Sequence, residues 1–298
     1  MKGQRHAGSS RFTPYFFILP AVVFYAIFFL FSIGFGLWVS FREWDMLTPL
    51  DKTRFVGLSN YVYLFTKDDL FLPVLRNTLV FAIGSVLFST AIALILAVAL
   101  QNNPRRGLWR TLYFLPMVTS VVAIANIWRY LYDPNFGLFN GLLSLFHIPG
   151  LRWIDSTALA MPSLIAVSVW ATIGGALLLF AAGLEGIPTM YYEAARLDGC
   201  SGWNEFRHIT LPLLRPTLLF VLITGFINGL QSFALTMIMT GGGPVNSTRV
   251  LALYMYETAF QNFRMGRASA MAFVLFLIIF LITLLQLRIF RRGGVEAH

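Results

Sequence analysis

Apolar stretches without a single charge, set between short charged segments, dominate the chain. A helix needs about 20 mostly apolar residues to cross a bilayer. Six charge-free intervals reach or approach that length: 30 residues between Arg11 and Arg42, 28 between Arg76 and Arg105, 18 between Arg110 and Arg129, 29 between Asp155 and Glu185, 33 between Arg215 and Arg249, and 20 between Arg267 and Arg288. They predict spans at roughly 14–40, 76–101, 110–131, 159–183, 215–238 and 268–288. A seventh interval, 18 residues between Asp133 and Arg152, carries Pro134, Asn135, Gly137, Asn140, Gly141, His147 and Pro149, which interrupt an apolar helix. It reads as an external loop with a short interfacial helix. The expected fold is an all-α integral membrane protein of six transmembrane helices, one domain over residues 14–290.

Composition agrees. Of 298 residues 57% are hydrophobic and only 12% are charged, with a mean hydropathy of +0.72, whereas an ordinary soluble domain is about 25% charged. The 22 basic and 13 acidic residues cannot clothe a soluble core of this size. The first span is about twice as long as a signal-peptide core and no small-residue cleavage site closes it, so it is expected to stay in place. The net charge of +9 comes mostly from arginines scattered between apolar runs, which suits lipid anchoring and argues against nucleic acid. Cys200 is the single cysteine, so no intramolecular disulfide forms.

Six spans put both termini on one side. The N-tail (1–13), the loop near Asn103, the loop at 184–214 together with Arg215 at its end, and the C-tail (291–298) together with Arg288 before it hold 12 cations, against 10 on the opposite side. Arg105, Arg106 and Arg110 crowd one short loop, which under the positive-inside rule places that loop and both termini in the cytoplasm. The outside segments are then about 41–75, 129–158 and 240–267.

None of the six intervals holds an Asp, Glu, Lys, Arg or His, which argues against a proton relay or a charged pore ring. Neutral polar and aromatic residues within the spans suit a neutral polar solute. The chain has no Gly-Lys pair and hence no phosphate-binding loop, so energy for active transport must enter through another subunit. No nucleophile, paired-carboxylate or metal-ligand spacing is present, and no catalytic or metal site is expected.

Between spans four and five runs Ile187-Pro188-Thr189-Met190-Tyr191-Tyr192-Glu193-Ala194-Ala195-Arg196-Leu197-Asp198-Gly199, followed after nine residues by Ile209-Thr210-Leu211-Pro212. Pro188 is expected to begin a short helix and Gly199 to end it. Ser201 is expected to cap a second helix reaching about Ile209. Glu193, Ala194, Ala195, Gly199, Ile209, Leu211 and Pro212 together resemble the signature of permease subunits of binding-protein-dependent ATP-binding-cassette importers. The resemblance narrows to the carbohydrate-uptake, maltose-type branch through Leu19-Pro20, Phe55 to Tyr61, Arg106-Gly107 with Arg110, Leu115-Pro116, Trp128 with Gly137 and Asn140, Trp170, Thr240 to Pro244, Ala259-Phe260 and Gly266 to Ala270. The large extra external domain of the enteric maltose permease is missing.

This resemblance implies a cytoplasmic coupling-helix loop that sits in a cleft of an ATPase subunit. Closure of two ATPases, using ATP and Mg, would drive two permeases from inward-facing to outward-facing. The partners it implies are a second related permease, two cytoplasmic ATPase subunits, an extracytoplasmic solute-binding protein, a sugar substrate and membrane lipid. The chain itself would carry no cofactor and would sit in a prokaryotic plasma membrane.

Several residues have two readings. Glu193 is either a solvated helix residue or the docking contact, and Arg196, three residues on, is close enough to pair with it. Asn228, Gln231 and Ser232 share one face if span five is a continuous helix, as do Ser168 and Thr172 in span four. These stripes either line the solute path or bond neighbouring helices. Trp170 and Trp128 are packing anchors or sugar platforms. Gly241-Gly242-Gly243-Pro244 is a helix stop or a flexible external gate turn. Beside the importer permease stand a non-transport scaffold or signalling subunit that docks an ATPase, and a self-sufficient facilitator, which six spans make less suitable.

Overall fold

A computed structural model describes residues 13–291, so the expected tails, 1–13 and 291–298, lie outside the described residues except for Thr13 and Arg291. Helix α1 begins at Thr13 and runs, through a π-helical turn at Ala26–Phe31, to Ser40. Among its residues 15–40 only Val39 and Ser40 are buried. A two-stranded antiparallel hairpin follows, β1 (Arg42–Glu43) with β2 (Arg54–Phe55), paired Arg42 to Phe55 and Glu43 to Arg54. Next come α2 (Ser59–Thr66) and the long α3 (Phe71–Leu100).

The third predicted span is not one helix. It divides into α4 (Arg106–Val118) and α5 (Val121–Leu131), bent by 97°. Thr119 and Ser120 between them are extended, at ψ 141° and 131°, just after Pro116, which lacks the N–H a helix needs at that turn. At 13 and 11 residues neither piece spans a bilayer alone. The interrupted segment after it does hold a short helix, α6 (Leu138–Leu145). The Asn140 amide clasps this loop: its Nδ2 donates to the Pro134 and Leu151 carbonyls (3.0 and 2.9 Å), while its Oδ1 accepts from Leu151 N and Trp153 Nε1 (3.0 and 2.9 Å).

Helix α7 (Ala160–Glu185) leads to the loop helices α8 (Thr189–Leu197) and α9 (Trp203–Leu213), and α10 (Arg215–Leu230) turns 67° away from α9. The chain continues with α11 (Ala234–Met239), α12 (Leu251–Tyr256) and α13 (Met265–Arg291). Among the described residues four helices are long and apolar enough to cross a membrane, and counting each bent pair as one span gives six.

The bundle is organised around α3 and α7. Helix α3 buries Ser85, Ser89, Ala93 and Ala97, four residues apart and all small, which lets another helix approach closely. Helix α7 answers with Leu177, Phe180 and Leu184, and the cluster closes over Ile187, Leu214 and Val221 at the loop end of the bundle. Helix α4 crosses α7 at Gly174, where any Cβ would collide with the Tyr113 carbonyl. At the other end of α7 a second cluster joins Tyr132, Ile154, Met161, Leu164, Leu235 and Met239.

Candidate functional site

The 184–214 segment is held at its edges and open at its centre. Ile187 is buried, and Tyr192 packs beside it and meets Thr210 through their hydroxyls at 3.2 Å. Arg110 donates to Glu185 at 2.8 Å, fastening the start of α4 to the end of α7. Gly183 lies against Leu214 and Thr217, so the root of α10 sits directly on α7.

Pro188 caps α8 with extended geometry (φ −60°, ψ 134°), and Gly199 closes it at φ +78°. The Gly199 N–H donates to the Arg196 carbonyl (3.1 Å) and the Cys200 N–H to the Ala195 carbonyl (2.8 Å). That pair of bonds is the Schellman arrangement, which uses glycine because it adopts positive φ without a Cβ clash. Glu193, Ala194 and Gly199 are exposed and Ala195 is half-buried. Around them the apolar side chains of Met190, Leu197 and Trp203 are 66%, 90% and 69% exposed. Large apolar side chains left exposed beside small residues are what an interface presents before its partner arrives.

Three details depart from the expected loop. Ser201 does not cap the second helix: Gly202, at φ +55°, takes the cap position, with no side-chain bond. That helix also passes Ile209 through a π-helical turn, Phe206–Thr210, and ends only at Leu213. Ile209, Leu211 and Pro212 are half-buried there, with Thr210 and Leu214 buried beside them, so the second half of the signature forms the root of the bend into α10. Arg196 reaches Glu205 at 3.6 Å, across the loop, and not Glu193.

The polar stripe expected on span five is broken. Helix α10 ends at Leu230, Gln231 is its C-cap and Ser232 lies in the turn before α11, so Asn228, Gln231 and Ser232 do not share a helical face. Gly229 and the amide side chains nearby favour such an end. Asn228 and Gln231 are exposed and Ser232 is half-buried. On α7 the Ser168 and Thr172 pair does keep one face, but the Thr172 hydroxyl donates to the Ser168 carbonyl at 2.8 Å. Trp170 stacks edge-on against Trp128 at 5.3 Å, and Trp128 packs on Tyr132 and Phe139, which makes the pair part of an aromatic cluster.

The Gly241 to Pro244 turn is built, not loose. Gly241 and Gly242 hold φ of +56° and +84°. Thr248, fully buried, donates to the Gly243 carbonyl at 2.6 Å and meets the Thr240 hydroxyl at 2.7 Å. From α3, Asn77 Nδ2 donates to the Asn246 and Arg249 carbonyls (2.8 and 3.2 Å), and Thr78 Oγ1 accepts from Leu251 N (2.7 Å). Arg249 pairs with Glu257 at 3.1 Å; burial raises the Glu257 carboxyl above its ordinary range, and Arg249 offsets part of that. A cavity of about 460 Å³ lies beside the turn, lined by Arg129, Asp155, Met237, Thr240, Gly241 and Gly243 among others. Asn77, Thr78, Thr248 and Arg249 carry no motif by which sequence reasoning singles them out; only their proximity in the fold does so.

The family model described as binding-protein-dependent transport system inner membrane component matches residues 89–293. The sn-glycerol-3-phosphate transport system permease protein UgpA of Yersinia pestis is 32% identical over 297 residues, covering 98% of this chain and 98% of that protein. The diacetylchitobiose uptake system permease protein NgcF of Streptomyces coelicolor is 33% identical over 271 residues, covering 86% and 76%. Among solved structures, a bacterial ABC transporter involved in the import of the acidic polysaccharide alginate has a chain that matches with a TM-score of 0.82 at 23% identity, over 95% of this chain and 96% of that one.

Proposed function

The chain belongs to the family of binding-protein-dependent transport system inner membrane components, and from that premise we propose that it forms half of the translocation pathway of an ATP-driven sugar importer. The relatives named for uptake of diacetylchitobiose and glycerol phosphate support small polar, hydroxyl-rich cargo. The scaffold reading has no comparable support. A second permease, two cytoplasmic ATPases using ATP and Mg, and a solute-binding protein complete the assembly, with both termini of this chain in the cytoplasm.

The observation that carries this reading is the uncovered surface of α8. Glu193, Ala194 and Ala195 stand on a helix whose two ends are geometrically fixed, with Met190, Leu197 and Trp203 unburied around them. An ATPase cleft closing on this surface would push or pull α10 through the Ile209 to Pro212 root, and so move one end of the pathway. Asn228, Gln231, Ser232, Ser168, Thr172 and Trp170 then contact solute as scattered groups along the path, and the Gly241 to Pro244 turn serves at its external mouth.

Copurification tests the reading. The chain should bring down an ATPase whose hydrolysis rises with loaded binding protein, and ATPase binding without uptake would sink it. For the orientation, a membrane-impermeant thiol reagent on intact cells should label Ser59→Cys and leave Cys200 unlabelled. For the path, an Asn228, Gln231 and Ser232 triple alanine variant should assemble and hydrolyse ATP normally, but with lowered uptake.

A further inference from the structure

Beside the end of α1 and the start of α13 lies a groove of about 740 Å³, walled by the β1–β2 hairpin and α2. Arg42, Lys52, Arg54, Lys67, Arg264 and Arg267 line it, against the carboxylates of Glu43 and Asp45, so the lining carries 6 − 2 = +4. None of the six cations takes part in a salt bridge among the described residues. Asp45 is already engaged by the N–H groups of Thr48 and Leu47, at 2.7 and 3.1 Å. Positive charge of this density, left unpaired by its own chain, is a standing attraction for an anion.

Two of the guanidinium groups are held in orientation. Arg42 lies over the Trp38 ring at 4.1 Å and donates to the Thr53 carbonyl at 2.9 Å, while Arg267 lies over the Tyr63 ring at 3.6 Å. Stacking leaves the N–H edges of Arg267 for the paired oxygens of a phosphate, while Arg42, held through Nη1 by Thr53, contributes its fixed positive charge. Lys52, Arg54, Lys67 and Arg264 are exposed around them.

The place in the fold narrows the ligand. Helix α1, a candidate span, ends two residues before Arg42, and α13, another, starts between Arg264 and Arg267. The groove therefore sits at the level where apolar helices give way to polar chain, the depth of lipid head groups, and Trp38, Trp44 and Tyr63 there are of the kind that gathers at this boundary. Leu58 and Val62, four residues apart on and beside α2, are both exposed and line the same groove, adding an apolar wall to a cationic floor. A free anion has no use for that wall.

We propose that this groove holds the phosphate head group of an anionic phospholipid, with the glycerol and upper acyl chain against Leu58 and Val62. The inference uses the chain's place in the inner membrane and is independent of its cargo. The full chain, reconstituted in phosphatidylcholine bilayers doped with phosphatidylglycerol and released into detergent, should retain phosphatidylglycerol over phosphatidylcholine as read by native mass spectrometry. The Arg54→Gln, Lys67→Gln, Arg264→Gln triple variant should weaken that retention on the order of a hundredfold, with phosphatidylcholine retention unchanged. Should the triple variant fail to fold, Lys67→Gln alone should weaken it about fivefold. Equal retention of the two lipids, or an unchanged preference in a folded variant, overturns the proposal. So does displacement of the lipid by millimolar inorganic phosphate, which would mark a free-anion site. A variant that keeps its lipid but loses solute-binding-protein docking in the assembled transporter would mark a protein contact and overturn it equally.

Discussion

Gly199 and Gly242 both sit at positive φ, +78° and +84°, yet a Cβ on the first would meet no atom within 4 Å and a Cβ on the second would touch Arg249 at 3.0 Å. The loop around Gly199 shows its side chains outward and is tied to the bundle at its edges, through Ile187, Tyr192 and the Arg110–Glu185 bond. The turn around Gly242 is pinned from inside by Thr248, Asn77 and Thr78. A glycine can thus serve to shape a surface for a partner or to fit backbone into a packed lock. The first kind should matter to coupling and the second to stability.

The largest effect that separates them is expected from Gly199→Val. A left-handed residue other than glycine costs about 1–2 kcal/mol, more when β-branched, so the Schellman end is lost and with it the shape of the docking face. Uptake should fall to background in membrane vesicles while the amount of inserted protein stays close to that of the wild type. Gly199→Asn, which tolerates positive φ, should keep most of the uptake. Normal solute-stimulated ATP hydrolysis in the valine variant would remove the docking assignment.

Thr248→Val reverses the profile. It leaves the Gly243 carbonyl and the Thr240 hydroxyl short of a buried partner, at a cost of about 1–3 kcal/mol. Thermal unfolding in detergent should come earlier, with ATPase copurification intact. A smaller shift is expected at Glu257. Because burial raises its folded-state pKa above the ordinary 4.5, the folded chain holds the proton more tightly than the unfolded one, and this group's contribution to stability falls as pH rises upward from that value. Glu257→Gln should flatten that part of the pH dependence of melting; an unaltered slope would clear Glu257 of any part in it. The smallest effect belongs to Arg196→Ala. Its exposed 3.6 Å pair with Glu205 is worth only a few tenths of a kcal/mol, so a large loss of uptake would mean that Arg196 touches the ATPase.

How far these two regions can be read ahead of the structure depends on what kind of force shapes them. Charge-free intervals locate α1, α3, α7 and α13 to within a few residues, because burial in lipid is a property of length and polarity. They are blind to backbone continuity, and so miss the bend at Thr119–Ser120 and the end of α10 at Leu230, which separates Asn228 from Ser232. The loop signature is legible because Gly199 and Pro188 impose local geometry through their own covalent chemistry. Ser201 as a cap and Arg196 with Glu193 as a pair fail because each has a local alternative: Gly202 reaches positive φ more easily, and Glu205 folds back within reach. The lock around Gly242 draws on α3, 169 to 173 residues distant in sequence, and no local rule reaches that far.

Asn140 is followed by Gly141, the sequence in which an amide is lost most readily when the next backbone nitrogen attacks it. In the folded chain that nitrogen donates to the Gly137 carbonyl at 3.0 Å, inside a helix, and is withheld from the reaction. Conversion to aspartate would aim a carboxylate oxygen at the Pro134 and Leu151 carbonyls, which now accept the amide N–H groups. The clasp that orders this loop therefore also shields itself from chemical ageing, and any lasting local opening would leave an irreversible mark at one atom.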